Sequence, residues 1–339
     1  MIEELIRGIP KAELHVHLEG TLEPALMLEL GARNGVDPPA AADAQAHADC
    51  AYDDLSHFLR VYYAGVSVLR TELDFHDLTA AYLKRAHADG VRHAEVFFDP
   101  QSHLPRGVPF DAIVDGIAGA LDEAERAWGI SSRLILCFLR DLGPRAAADT
   151  LHLALSRRDT IAGVGLDSVE AGYPPGAFAD VFAAARAGGL ITVAHAGEEG
   201  PASYVWEALD TLRVCRVDHG VRAADDAALV ERLARERIPL TMCPLSNLHL
   251  RVVRSLEEHP LKRLLDAGVL VTVNSDDPAY FCGYLADNYL AVQQALRLTP
   301  ADIRVLARNS IEASLLPAER AWELLHEIDV FAAGFFVDG

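Results

Sequence analysis

Two histidines separated by one residue open the part of the chain best suited to chemistry. His15 and His17 lie in a short strand-like run, and on a β-strand residues two apart project to the same face. His195 and Asp276 each end a later apolar run. Three imidazoles and one carboxylate suit zinc and leave a coordination position for water. The sequence therefore predicts a zinc site with one open position.

Further acidic and imidazole groups accompany these four residues. Glu198 comes three residues after His195, His219 ends the next apolar run, and Asp277 directly follows Asp276. A carboxyl group near an activated water can act as a general acid, and an imidazole can hold or deprotonate that water. The combination predicts a hydrolytic site.

The elements that must position these groups follow from the pattern of apolar residues. Eight short apolar runs alternate with longer segments of helical period, which is typical of a parallel sheet. We predict a single α/β domain over residues 1–339, folded as a TIM (β/α)₈ barrel with extra helices capping its C-terminal face. A doubly wound sheet is the alternative, although no G-x-G-x-x-G motif follows any run. The runs are Ala12–Leu18, Val91–Phe98, Arg133–Leu139, Gly163–Val169, Leu190–Ala196, Arg216–His219, Ile238–Cys243 and Val269–Asn274.

Polar residues stand at the end of every run, where the loops of a barrel build its active site. Besides the groups named above, they are Asp99, Arg140, Asp141, Asp167, Glu170, Ser246 and Asn247. The insertion over about residues 40–90 also carries aromatic residues. Tyr52, Phe58, Tyr62 and Tyr63 are expected either to help cover the site or to pack as a stripe against the barrel.

Composition excludes several classes of protein. The 339 residues include 30 Lys plus Arg against 50 Asp plus Glu, a net charge of −20, which argues against nucleic acid as a partner. No apolar stretch reaches about 18 residues, so no membrane span is expected. Five widely separated cysteines without a C-x-x-C pair predict reduced thiols rather than disulfides, and with them a cytoplasmic location.

Four segments together resemble a known family. Their order and spacing, from about residue 8 to residue 316, are similar to those of the adenosine/adenine deaminase family of metal-dependent hydrolases. The segments are Pro10–Thr21 (PKAELHVHLEGT), His195–Glu198 (HAGE), Asp218–Gly220 (DHG) and Asn274–Pro278 (NSDDP). The resemblance implies a TIM-type barrel with one zinc ion per chain, held by His15, His17, His195 and Asp276.

The resemblance also implies roles for three further residues. Glu198 is expected to donate a proton to the purine N1, His219 to orient the attacking water, and Asp277 to hydrogen-bond N7. The implied reaction is the hydrolytic deamination of a 6-aminopurine, in which water adds to C6 and ammonia leaves. A small aminopurine is then the expected partner, and the oligomeric state stays open. Glu19, within the first motif, is expected to be a loop or supporting residue.

The segment Gly163–Pro175 is similar to the pattern of bacterial and fungal adenine deaminases, which makes adenine the expected substrate and hypoxanthine the product. Glu170 in this segment is expected to occupy the place of a glycine in adenosine-selective relatives. A carboxylate there would accept a hydrogen bond from N9–H of the free base and exclude ribose. The alternative is that Glu170 pairs with an arginine at the barrel rim, such as Arg140.

Other functions stay open at this point. The substrate could instead be adenosine, aminodeoxyfutalosine or an N6-substituted adenine. A two-metal amidohydrolase is disfavoured because none of the three lysines (Lys11, Lys84, Lys262) follows the fourth run. A zinc-stabilised binding protein would not need Glu198, His219 and Asp277 together.

Overall fold

A computed structural model describes residues 1–37, 39–52 and 55–335, and eight parallel strands of this part of the chain follow one another around a barrel. Each strand pairs with the next in chain order, and each overlaps one of the predicted apolar runs. The predicted barrel is thus confirmed. The strands are β1 (Lys11–His17), β2 (Val91–Phe98), β3 (Ser131–Leu139), β4 (Ile161–Asp167), β5 (Ile191–Ala196), β6 (Arg216–His219), β7 (Leu240–Met242) and β8 (Val271–Val273).

The barrel closes through residues that lie just beyond β8. Val16 of β1 forms an isolated parallel bridge with Asp276. The amide of His17 donates to the carbonyl of Asp276 at 2.9 Å, and the amide of Asp276 donates to the carbonyl of His15 at 3.1 Å. The side chain of Asn274 accepts from the amide of Leu14 at 2.9 Å. The β1–β8 seam is therefore made by the segment that carries Asp276.

Helices surround the barrel and extend over its C-terminal mouth. Several begin at side chains that satisfy free backbone N–H groups, as where Thr71 and Asp74 form a capping box or Asp226 accepts from two amides. The α-helices are α1 (Ile2–Gly8), α2 (Pro24–Asn34), α3 (Ala41–Ala48), α4 (Leu55–Val66), α5 (Glu72–Ala88), α6 (Phe110–Trp128), α7 (Gly143–Ser156), α8 (Ala179–Ala187), α9 (Ala202–Glu207), α10 (Ala227–Glu236), α11 (Pro244–His249), α12 (Leu261–Asp266), α13 (Leu285–Leu296), α14 (Pro300–Glu312) and α15 (Ala318–Ala333). No helix among the described residues is long and apolar enough to cross a membrane.

A disulfide corrects the prediction that all five cysteines are reduced. Cys50, between α3 and α4, is bonded to Cys282 in the loop after β8, with the two Cα atoms 5.9 Å apart. Cys137, Cys215 and Cys243 are free thiols, as predicted. The two bonded residues are 232 positions apart, and only the fold brings them together. The disulfide ties the helices over the mouth to the loop that follows the seam.

The barrel interior holds a buried charge network centred on Arg216. Its guanidinium donates to Glu95, to Asp218 at 3.2 Å and to the carbonyl of Leu14 at 2.9 Å. Arg216 and Glu95 are essentially inaccessible to solvent. A buried charge is tolerated only when it is paired and hydrogen-bonded. The network joins β1, β2 and β6 inside the barrel.

We expect Arg216→Ala to lower the free energy of unfolding by about 3–5 kcal/mol, because it leaves the Glu95 carboxylate buried without its partner. Urea denaturation followed by circular dichroism measures the loss. Arg235→Ala is the matched control, since Arg235 forms exposed ion pairs on α10 and should change stability by at most about 0.5 kcal/mol. A loss for Arg216→Ala no larger than that of the control would contradict the prediction.

Candidate active site

The four predicted metal ligands meet at one point of the barrel mouth. The Nε2 atom of His15 lies 3.2 Å from Oδ1 of Asp276, and that of His17 lies 3.5 Å from the same oxygen. The Nε2 atoms of His17 and His195 are 3.1 Å apart. His219 also approaches, because ligand atoms of His15, His195, His219 and Asp276 all lie within 4.8 Å of one another. All five side chains are buried.

Each of the three imidazoles has a carboxylate behind it. Asp167 faces Nδ1 of His17 at 3.6 Å, and Asp218 faces Nδ1 of His195 at 3.7 Å and Nδ1 of His15 at 4.0 Å. Metal-binding histidines commonly direct their second ring nitrogen to a carboxylate or a carbonyl, which fixes the orientation of the ring. The arrangement turns the Nε2 atoms of His15 and His17 towards Asp276 and that of His195 towards His17.

The protonation states also fit a bound cation. Burial lowers the pKa of His17 to about 4 and the pKa of His195 well below its usual value, so both rings are neutral at neutral pH. Although burial acts to raise it, the neighbouring His15 and His219 hold the pKa of Asp276 below its usual value. The Nε2 atom of His15 is buried without a hydrogen-bond partner in the described part of the chain. A metal ion would use its lone pair.

A second group of possible metal ligands lies beside the first. It consists of His17, Asp99 and Asp167, all buried. His17 lies between the two groups, because its Nε2 atom faces Asp276 while its Nδ1 atom faces Asp167. The structure thus offers a compact set of His15, His195, His219 and Asp276, with His219 in the place predicted for His17, and a smaller set that contains His17.

Glu198 and His219 adjoin the metal-ligand group on its β5–β6 side. Oε2 of Glu198 lies 3.5 Å from Nε2 of His219, which is 3.8 Å from Oδ2 of Asp276. Asn247 lies behind both, with its amide nitrogen 3.3 Å from Nδ1 of His219 and 3.5 Å from Glu198. His259 in turn contacts the amide oxygen of Asn247 at 3.2 Å. These contacts fix the orientation of the Glu198 and His219 side chains.

Asp277 lies on the β8 side of the cavity and packs directly on a glycine. A Cβ atom at Gly20 would come within 1.9 Å of its carboxylate oxygen, so only glycine fits at that position. Burial raises the pKa of Asp277 well above its usual value, and the neighbouring Asp276 raises it further. Burial also raises the pKa of Glu198, with Asp276 again the next contributor. Both groups therefore favour the protonated form.

Glu170 requires a correction, because it does not line the cavity. Its Oε1 atom accepts from the amide of Gly197 at 2.6 Å. Its Oε2 atom accepts from the amides of Glu198, Glu199 and Gly200 at 3.0, 2.9 and 2.9 Å. The carboxylate is buried and is engaged by the loop after β5. It therefore supports the backbone of Glu198 instead of contacting N9 of a purine.

Arg140, the alternative partner considered for Glu170, donates to the carbonyl of His195 at 3.1 Å. Arg140 therefore supports the end of β5, next to the loop that Glu170 supports. The predicted supporting role of Glu19 also agrees with its contacts. Its Oε1 atom lies 2.8 Å from Nε2 of His103 and accepts from the amide of Asp99 at 3.1 Å.

The helices over the mouth provide the apolar side of the cavity. Phe58, Tyr62 and Tyr63 of α4 line it, together with Leu55 and Leu59. Tyr52 instead donates to the carbonyl of Tyr280 at 3.1 Å and belongs to the aromatic packing beside the cavity. Both expectations for this insertion are therefore met, and Phe58 and Tyr62 meet both, because they also pack on Tyr280.

Sequence reasoning did not assign a function to several residues of the site. Asp99, Asp167 and Ser168 line the cavity, and Asn247 and His259 stand behind it. For Asp99, Asp167, Ser168 and Asn247, the position at the end of a strand or just after it was a usable signal. His259 follows no strand, and nothing in its sequence neighbourhood indicates its contact with Asn247.

Comparison with known proteins agrees with this geometry. The model of the family described as adenosine deaminase matches residues 10–331. Adenine deaminase of Cupriavidus taiwanensis is 59% identical over 330 residues, which cover 97% of this chain and 94% of that protein.

Two solved structures have the same fold. The crystal structure of adenine deaminase from Arthrobacter aurescens superimposes with a TM-score of 0.93 at 47% identity, covering 96% of this chain and 100% of that one. An amidohydrolase from Burkholderia ambifaria with bound zinc has a TM-score of 0.90 at 28% identity, covering 99% of this chain and 95% of that one.

We expect His17→Ala and Asp276→Ala to lose most of the metal that the purified protein carries, because each removes a predicted ligand from the buried set. Elemental analysis of dialysed protein measures the metal content. His152→Ala is the control, since His152 is exposed on α7 and should keep the full content. Unchanged metal in both ligand variants would contradict the assignment. Two tightly held ions per chain would favour the two-metal alternative.

Proposed function

The chain belongs to the adenosine deaminase family, and on that premise we propose that it catalyses the hydrolytic deamination of adenine to hypoxanthine and ammonia. Relatives named adenine deaminase, 52–59% identical over 97% of the chain, support adenine as the substrate. The observation that carries the chemistry is the shared cavity, in which Glu198 and Asp277 adjoin the buried His–Asp set. A cytoplasmic location remains a prediction.

The proposal includes one zinc ion per chain, held by His15, His17, His195 and Asp276. A zinc ion in this donor set supplies a Lewis acid that makes water a nucleophile near neutral pH. Burial lowers the pKa of His219 to about 3, so the ring is neutral at neutral pH and can hydrogen-bond to water. Because His219 lies between Glu198 and Asp276, it can hold and orient the attacking water.

Glu198 supplies the proton that the purine ring needs. As water adds to C6, negative charge develops on N1, and a protonated carboxyl group beside N1 neutralises it. One proton of the water replaces the proton lost by Glu198, and the other passes to the amino group. The C6–N6 bond then breaks and ammonia leaves, with hypoxanthine as the product. The raised pKa of Glu198 keeps the donor protonated before the reaction.

Asp277 orients the base from the opposite side. N7 of adenine is an acceptor, so a carboxyl group that binds it must donate. The raised pKa of Asp277 favours that protonated form, and its position against Gly20 fixes the side chain. A purine held at N1 and N7 presents C6 to the metal-ligand group. Glu170 acts indirectly, because it holds the loop that carries Glu198.

We expect the zinc-loaded protein to prefer adenine over adenosine, aminodeoxyfutalosine and N6-methyladenine. The kcat/KM for ammonia release from adenine should be at least about 10²-fold higher, because a polar site discriminates between substrates on that scale. Ammonia release and the conversion of adenine to hypoxanthine, followed by ultraviolet absorbance at matched concentrations, measure the preference. The protein stripped of metal serves as the blank. Higher kcat/KM for any other purine in the panel would overturn the choice of substrate.

Glu198→Gln should retain metal and fold yet lose about 10²-fold or more in kcat, the usual scale for proton transfer by a positioned side chain. Glu207→Gln is the matched control, because Glu207 accepts from the amide of Gly176 at 2.9 Å and lies outside the cavity. It should leave kcat near the wild-type value. Near-normal turnover by metal-replete Glu198→Gln would remove Glu198 from the proposed role.

A further inference from the structure

One wall of the cavity has no contact with the substrate in the reaction described above. Asp99 follows β2, Asp167 ends β4, and Ser168 comes next; all three line the cavity. The two aspartates are each 3% exposed. The Oδ1 atoms of both aspartates are buried without a hydrogen-bond partner in the described part of the chain. Buried oxygens of this kind are costly unless a ligand satisfies them.

The two aspartates differ in what else they contact. Asp167 has one oxygen on Nδ1 of His17 and so supports a metal ligand. Asp99 is instead held through its backbone, because its amide donates to Glu19, which His103 contacts from the other side. These contacts fix the main chain of Asp99. Its carboxyl group adjoins that of Asp167 and leaves the Oδ1 atom of Asp99 to the cavity. Asp99 is therefore the better candidate for contact with a substrate.

The shape of adenine indicates which edge meets this wall. In the purine ring N3 lies opposite C6, and N9 is next to N3 on the same edge. If N1 and N7 face Glu198 and Asp277, on the β5 and β8 sides, the N3–N9 edge turns away from both. Asp99 and Asp167 stand at the ends of β2 and β4, on the remaining side of the mouth. This step rests on the proposed function.

We propose that Asp99 is a specificity-determining residue that accepts a hydrogen bond from N9–H of free adenine. A carboxyl group keeps an acceptor oxygen in either protonation state, and the free base can offer N9–H as a donor. A nucleoside has a carbon in place of that hydrogen, so the buried oxygen would stay unsatisfied. Its ribose would also lie against Asp167 and Tyr63, which close the same wall. Free base is thereby favoured over nucleoside.

The test compares adenine with 9-methyladenine, which lacks the N9 hydrogen but adds only one carbon. Asp99→Ala should lower kcat/KM for adenine about 10- to 100-fold, the scale of a hydrogen bond to a charged group. The kcat/KM for 9-methyladenine should change less than about 3-fold. Asp99→Asn, which keeps one acceptor oxygen, should lie between wild type and Asp99→Ala. Asp141→Asn, the same change at an exposed residue after β3, is the control and should match wild type.

A binding measurement separates this contact from turnover. Calorimetric titration with hypoxanthine and 9-methylhypoxanthine should give the wild type a clear preference for the free base, and Asp99→Ala should lose that preference. Equal losses for both ligands in Asp99→Ala, or an unchanged ratio, would overturn the role of Asp99 while leaving adenine deamination intact. A wild type that releases no ammonia from adenine would instead overturn the proposed function, and this inference with it.

Discussion

The β1–β8 seam is the constraint on which the site depends. β8 ends at Val273, and the residues that follow it complete the pairing with β1 through the Val16–Asp276 bridge. The same backbone bonds that close the barrel also fix the position of Asp276 relative to His15 and His17. Asp276 has a φ of 65°, a conformation that non-glycine residues seldom adopt and that a surrounding structure must impose. The same backbone contacts therefore close the barrel and place Asp276, a predicted metal ligand.

Buried charged and acidic side chains form two layers around this seam. In the outer layer, Asp167 and Asp218 stand behind the imidazoles and orient them, and Arg216 in turn neutralises Asp218 and Glu95. In the inner layer, Glu198 and Asp277 have no arginine partner at hydrogen-bond distance among the described residues, and burial keeps them protonated. In the proposed reaction, the first layer fixes the metal-binding imidazoles, and the second supplies a proton from Glu198 and a hydrogen bond from Asp277.

Much of the fold and site followed from local sequence pattern. Apolar runs of strand length located all eight strands, and the polar residues at their ends identified the groups that meet at the mouth, His15 and Asp277 among them. Glu170 was misassigned because its partners are backbone amides of another loop, which no side-chain pattern reveals. The Cys50–Cys282 pairing depends on a contact between residues 232 positions apart. Asp99 was recognised as a strand-end residue, but its unsatisfied oxygen is visible only in the folded protein.

The disulfide between Cys50 and Cys282 makes a closed covalent ring of the chain between them. Seven of the eight strands, β2 to β8, lie within that ring, while β1 with its two histidines lies outside it. A single proteolytic cut anywhere from residue 51 to residue 281 would therefore leave both fragments joined. Such a nicked molecule would migrate as one species until a thiol reduced it, and cleavage in the helices over the mouth would not by itself release them.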